Sequence, residues 1–258
     1  MAAYAEVTEL AGDEVSQEQV VRACSRYGWA SSYCRDKDVL EVACGTGPGL
    51  GVLQSVARQL VAGDISADIL ERARAHYGSR IDLRIMDASK LPFADASLDV
   101  VIIFEALYYL PSAAAFVAEC QRVLRPSGYV LIASANKDLS DFNPSPYSHT
   151  YHGVVELRAL FGAQGFACKF FGDVPVSRVS VRQRVFRPIK RTAVALNLIP
   201  KSMGGKKLLK RLVFGTMALF PAEIASSTIP AARSLATLDP SLPDREHKVI
   251  LCAAAKLV

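Results

Sequence analysis

A chain of 258 residues, 51% hydrophobic and 21% charged, can bury a full core in one domain and is too apolar to stay disordered. Its longest apolar runs are broken at Pro200 and Pro221, too short to span a bilayer, and the start Met-Ala-Ala-Tyr-Ala-Glu lacks the basic flank and apolar centre of a secretory leader, so a cytoplasmic protein is expected. The formal charge of +5 belongs to one stretch, Val174 to Ala222, which contains no Asp or Glu and carries basic residues from Arg178 to Arg191 and from Lys201 to Arg211.

Residues Glu18 to Cys34 read as a helix, with Val20, Val21, Cys24, Tyr27 and Ala30 on one face. Val39 begins a buried strand that runs into a turn with Gly45, Gly47 and Gly49, where the backbone can approach a ligand closely. A short helical pattern, Leu50 to Arg58, leads to a second strand, Leu60 to Asp64. Ser66 then caps a helix over Ala67 to His76. A third strand, Ile81 to Met86, ends at Asp87. A fourth, Leu98 to Phe104, is an almost continuous apolar run of the kind buried on both faces, and it ends at Glu105. Ser112 caps a helix over Ala113 to Leu124, closed by Pro126-Ser127-Gly128, before a fifth strand at Tyr129 to Ala133. A polar loop with Pro144 and Pro146, a helix from Val154 to Gln164 and a strand from Ala167 to Phe171 follow. The last apolar strand, Val249 to Ala255, lies far downstream, beyond the basic segment.

Alternating strands and helices predict an α/β fold, a doubly wound, mostly parallel sheet with helices on both faces. One domain is expected over 1–258. Residues 1–35 form an N-terminal cap helix and 36–135 a ligand-binding core. A substrate-side loop, helix and strand follow over 136–173, then a basic, mostly helical insertion over 174–245 and the final strand over 246–258. Six cysteines, at 24, 34, 44, 120, 168 and 252, have no Cys-x-x-Cys spacing and read as reduced thiols. His149 and His152 are three apart but lack a nearby acid or thiol partner set, so no metal is expected.

In open α/β sheets ligands bind at the carboxyl ends of the strands, and here those ends carry Glu41, Asp64, Asp87 and Glu105. Such acids suit a ligand with hydroxyls and an amino group and repel a polyphosphate. The loop Gly45-Thr-Gly47-Pro-Gly49-Leu puts the third glycine out of step for a dinucleotide fingerprint, and no phosphate-binding Gly-x-x-x-x-Gly-Lys motif is present.

Glu41-Val-Ala-Cys-Gly45-Thr-Gly47-Pro-Gly49, Gly63-Asp64-Ile65-Ser66, Asp87-Ala88 before Leu91-Pro92-Phe93, Asp99 to Glu105, and Arg122-Val-Leu-Arg-Pro126-Ser-Gly128 together resemble, in order and spacing, the class I S-adenosylmethionine-dependent methyltransferases. The resemblance covers about residues 38 to 135. It implies a Rossmann-like sheet of seven strands with an antiparallel last strand, and S-adenosylmethionine as cofactor with S-adenosylhomocysteine as product. By the resemblance, Glu41, Ala43, Gly45 and Gly47 pass under the methionine part, Asp64 accepts hydrogen bonds from the ribose, and Ile65 lies beside the adenine. Asp87 and Ala88 read the adenine edge, and Phe104 and Glu105 lie near the sulfonium. Ala43 stands where the family often has glycine, and Ser127 replaces a second turn glycine.

Methyl transfer from a sulfonium needs position and a dry pocket, with a base only for a hydroxyl or protonated amine. His149 is the preferred general base, with Tyr109 and Glu105 as further catalytic candidates and Tyr108, Tyr147, Tyr151 and His152 as substrate contacts. The basic segment reads as a solvated face over apolar residues, as a membrane-surface contact through 206–220, as a dimer surface or, third in order, as a nucleic-acid contact. It also resembles the C-terminal extensions of bacterial methyltransferases from polysaccharide and secondary-metabolite pathways, which favours a small-molecule, sugar-bearing or natural-product acceptor. An RNA methyltransferase using 178–211 and a non-catalytic cofactor-binding subunit are the alternatives.

Overall fold

The computed structural model describes residues 10–178, 217–228 and 235–258. β1 (Glu14–Ser16) leads into α1 (Gln17–Cys34), then β2 (Asp38–Val42), α2 (Leu50–Gln54), β3 (Gln59–Asp64), α3 (Ala67–Tyr77), β4 (Asp82–Ile85) and β5 (Leu98–Phe104). α4 (Ala113–Val123), β6 (Leu124–Ala135), α5 (Val154–Gly162), β7 (Phe166–Pro175), β8 (Met217–Leu219), β9 (Ala236–Leu238) and β10 (His247–Lys256) complete it.

The main sheet has the order β4-β3-β2-β5-β6-β10-β7-β9. β2, β3, β4, β5 and β6 pair in parallel, and β10 runs antiparallel between β6 and β7. The seven expected strands are all there, and β9 adds an eighth, antiparallel edge strand beside β7. β1 and β8 form a separate two-stranded ribbon. The chain lays β3 and β4 to one side of β2 and returns to put β5 and β6 on the other, so the order reverses at the β2/β5 boundary. A crevice opens there at the carboxyl ends of the strands.

Strand alternation explains why β5 reads as one unbroken apolar run. Val100, Ile102 and Phe104 join the core beneath α1, α2 and α3, while Val101 and Ile103 join the opposite core beneath α4 and α5. α1 begins at Gln17, one residue earlier than Glu18, because Ser16 caps it: the Gln19 N–H donates to Ser16 Oγ and the Ser16 N–H donates back to Gln19 Oε1. Its buried stripe is Ala23, Cys24, Tyr27, Ala30 and Cys34.

Three local readings differ from expectation. α2 stops at Gln54 because the chain must turn into β3: Arg58 is drawn onto Asp38, with Nε 2.8 Å from Oδ1, and its N–H donates to the Lys37 carbonyl. Pro126-Ser127-Gly128 follows the end of α4 at Val123, as expected, but already lies inside β6 as an irregularity, where the register slips between Leu98–Leu124 and Val100–Tyr129 and Ser127 adopts φ +63°. Most of the expected helical insertion, 179–216 and 229–234, lies outside the described residues. Its described remainder over 174–178, 217–228 and 235–245 contains the end of β7, β8, β9 and two 3₁₀ turns, Val176–Arg178 and Ser226–Thr228, and no α-helix. Of the expected membrane-contact stretch, 206–216 is outside the described residues. Among the described residues no helix is long and apolar enough to cross a membrane, and all six cysteines are free thiols.

Gly63 in β3 is a close-packing glycine. A Cβ there would stand 2.5 Å from Met86 Cε and 2.6 Å from the Arg84 carbonyl oxygen. Gly63→Ala is expected to destabilise the domain by about 2 kcal/mol through overpacking, measured as a lower urea midpoint with unchanged m-value.

Candidate functional site

The turn after β2 is built from left-handed backbone at alternate positions: Ala43 at φ +51°, Gly45 at +60° and Gly47 at +72°. Asp64, at the end of β3, holds it. Asp64 Oδ2 accepts the Gly45 N–H at 3.0 Å and Oδ1 accepts the Ser66 N–H at 2.9 Å, so one carboxylate fixes both the turn and the start of α3. Burial pushes the Asp64 carboxyl above its ordinary value, against the pull of those amides. Gly47 serves packing: a Cβ there would lie 2.5 Å from Leu50 Cδ1, and the Tyr77 hydroxyl donates to its carbonyl at 2.6 Å from below.

Above the crevice is a cavity of about 380 Å³, a size suited to a small organic ligand. Of the expected ligand-binding residues, Glu41, Ala43, Gly45, Asp64, Ile65, Asp87, Ala88 and Phe104 line it, and Gly47 does not. Cys44 lines it too, its thiol pushed far up by burial. Among the described residues no group of three or more His, Cys, Asp or Glu side chains is placed to hold a metal ion.

The candidates for catalysis and substrate contact divide. Glu105, Tyr108 and Tyr109 line the cavity. Glu105 is at φ +51°, and its carboxylate is already engaged: Oε1 meets Arg22 Nη2 at 3.3 Å and Arg26 Nη1 at 3.8 Å, while Oε2 accepts from the Tyr108 hydroxyl and the Ala135 N–H, each at 3.2 Å. Both carboxylate oxygens of Glu105 are thus held by the protein itself. Tyr147, His149, Tyr151 and His152 do not reach the cavity. Tyr108 fills the space between: its ring stacks on Tyr151 with centroids 4.1 Å apart, and its carbonyl accepts the His149 main-chain N–H at 2.7 Å. His149 and Tyr147 are exposed, and His152 is half-buried away from the lining, with burial pushing its imidazole below the ordinary value. The loop after β6 is thus a buttress behind the cavity wall.

The expected N-terminal cap helix forms the roof, with polar side chains that the sequence reading did not single out. α1 contributes Gln19, Arg22, Arg26 and Tyr27, and Phe220 closes the far side. The spacing of Gln19, Arg22 and Arg26 places them on one helical face, a signal present in the sequence. Nothing local marks Phe220, which arrives from the far end of the chain.

Comparison with known proteins gives a consistent picture. Residues 40–132 match a family model described as a methyltransferase domain. The chain is 36% identical over 139 residues to a Mycolicibacterium smegmatis protein named "Probable S-adenosylmethionine-dependent methyltransferase", covering 52% of this chain and 53% of that one. It is 32% identical over 158 residues to the O-methyltransferase cnsE of Penicillium expansum, covering 59% of this chain and 53% of that one. The chain therefore spans about half the length of these curated relatives. Among solved structures, the YcgJ protein of Bacillus subtilis superposes with a TM-score of 0.58 at 15% identity, over 90% of this chain and 98% of that one, a likeness of fold.

Glu41 lies on the cavity floor, 1% exposed, between β3 and β5. Its Oε1 accepts the Tyr27 hydroxyl at 2.7 Å, and its Oε2 has no hydrogen-bond partner among the described residues. Burial pushes the carboxyl from 4.5 up to about 7, with Tyr27 and the charge of Arg26 opposing it. A raised carboxyl pKa in the folded state favours folding at low pH, so this contribution is full below the unfolded value and lost as pH rises through about 7. The unliganded protein is expected to lose about 3 kcal/mol of unfolding free energy from this group between about pH 5 and 8. Urea titrations across that range should show the loss in the wild type and a flatter profile in Glu41→Gln.

Proposed function

We propose that residues 40–132, which match the methyltransferase-domain model, form a class I S-adenosylmethionine-dependent methyltransferase domain, and that the protein transfers a methyl group from S-adenosylmethionine to a small-molecule or natural-product acceptor. The observation that carries the cofactor assignment is the Glu41 oxygen left without a partner inside a closed floor. A buried acceptor of this kind suits an ammonium group, and the cofactor's amino acid portion has one. The strand-end acids Asp64 and Asp87 suit hydroxyls and an adenine amino group, and the two arginines of the cavity lining, Arg22 and Arg26, are already paired with Glu105.

Bound there, S-adenosylmethionine supplies a methyl group already activated by its positive sulfur. The chain's own work is orientation and the exclusion of water. Asp64 holds the turn in its left-handed course and offers its outer lone pairs to the ribose, and Ala88 offers a main-chain amide beside it. Phe104 and Tyr27, packed edge to face at 5.3 Å, give the reacting region an apolar wall. Glu105 positions α1 over the cavity through Arg22 and Arg26 and does not take the acceptor proton. Tyr109, which lines the cavity and is hydrogen-bonded to Ser145 Oγ, is the remaining polar group near the acceptor side. The small size of the cavity and the O-methyltransferase name of the Penicillium expansum relative favour a small acceptor over RNA. No described feature favours a non-catalytic subunit.

Two measurements test this reading. Asp64→Ala should raise the calorimetric dissociation constant for S-adenosylmethionine by roughly 10- to 100-fold, as expected for loss of a charge-assisted pair of hydrogen bonds, and unchanged affinity would remove Asp64 from the site. In a methyl-transfer screen across phenols, glycans, amines and RNA, any acceptor found should be turned over by His149→Ala within about twofold of wild type, because an exposed imidazole outside the lining takes no part in proton transfer.

A further inference from the structure

Residues 217–224 bring Phe220 into the cavity wall and are fastened at both ends. β8 pairs with β1 from Glu14–Leu219 to Ser16–Met217, and the Phe220 main chain exchanges hydrogen bonds with Gly12 and Asp13 at 2.9 and 2.8 Å. Phe220 is 3% exposed, and its ring is part of the cavity wall. Four residues on, the Ile224 N–H donates to the carbonyl of Pro48, inside the glycine turn, at 2.6 Å.

Glu223 ties this crossing to the far bank. Its Oε2 lies 2.8 Å from His76 Nε2 and 2.8 Å from Arg80 Nη2, both on or just after α3. The Arg80 guanidinium lies 4.9 Å above the Tyr77 ring, whose hydroxyl holds the Gly47 carbonyl. The Glu223 carboxylate also fills the notch over Gly51 on α2, where a Cβ would come within 1.9 Å of Oε1. Apart from these attachments the crossing rests on a two-stranded ribbon of three residues per strand, too short to be stable alone. Elements with so few contacts are the ones that open locally.

We propose that residues 217–224 form a latch over the cofactor cavity, in which Phe220 is the wall that touches the occupant and Glu223, clipped to His76 and Arg80, is the positioning residue that keeps the latch shut. The proposal rests on the cofactor reading above. Release of S-adenosylhomocysteine then requires the Glu223 clip to part and Phe220 to swing away with β8. Because the clip ends on Tyr77 and the Pro48 carbonyl, the same attachments that shape the glycine turn set how long the cavity stays closed.

Surface plasmon resonance with the full chain immobilised and S-adenosylhomocysteine as analyte reads the latch directly. Glu223→Gln breaks the clip chemically. Gly51→Ala breaks it sterically, by filling the notch without touching the cavity. Both should raise the dissociation rate about fivefold or more while the association rate and the unliganded melting temperature change little. Phe220→Leu, which keeps an apolar wall but shortens it, should raise the dissociation rate as well. Glu71→Gln, which removes an exposed carboxylate from α3, should leave both rates at wild-type values. Dissociation rates within about 1.5-fold of wild type in both clip variants would overturn the latch while leaving the cofactor reading intact. Absence of any binding to the wild type would overturn the cofactor reading and the latch with it.

Discussion

The structure turns on the Asp64 carboxylate. Its two oxygens reach across the topological switch point, one to the Gly45 amide and one to the Ser66 amide, and so lock the turn after β2 against the start of α3. Every other feature of the cavity is placed relative to that lock. Glu41 lies on the floor because β2 must enter the turn there. Tyr77 props the turn from below, and Tyr27 fits against Gly49, where a Cβ would come within 2.3 Å of its ring. A left-handed course at Ala43, Gly45 and Gly47 is costly backbone, most of all at the alanine, and the carboxylate is part of what offsets it.

The roof depends on a second carboxylate with the opposite behaviour. Asp64 holds backbone to backbone, whereas Glu105 holds a helix to a sheet: Arg22 and Arg26 from α1 converge on it, and its other oxygen is taken by Tyr108 and by β6. With its side-chain oxygens already paired, Glu105 fixes the height of the cavity, and any proton chemistry falls to groups nearer the acceptor. The loop after β6 shows the same division. From this loop Tyr151 stacks on Tyr108, and Phe142 packs edge-on against Tyr151, so the loop supports the cavity wall from outside the lining.

The parts of this arrangement legible in the sequence are those that depend on local pattern. The acids at strand ends, the Ser66 and Ser112 caps and the run Leu98 to Phe104 follow from neighbours within a few residues, and the structure puts them in the expected elements. What could not be read needed distant geometry. Which face of α1 looks into the cavity depends on how the helix lies across the sheet, so Arg22 and Arg26 were hidden behind the apolar stripe. Gly47 looked like a place for close ligand approach, but Leu50 and Tyr77 need the space. His149 looked like a base because its loop follows a strand end, and only the Tyr108–Tyr151 stack shows that the loop is held off. Phe220 is brought back by pairing between strands some two hundred residues apart, which no local signal records.

Cys44 gives the cavity a property of a different kind. A domain that houses a methylating agent exposes its own nucleophiles to that agent, and a sulfur anion is the most vulnerable of them. Cys44 lines the cavity, yet burial, with Glu41 and Asp64 adding to it, pushes its thiol above the ordinary value and so works against thiolate formation. A neutral thiol is a poor nucleophile, so the acids that make the cavity hospitable to a cation also protect the protein from alkylating itself.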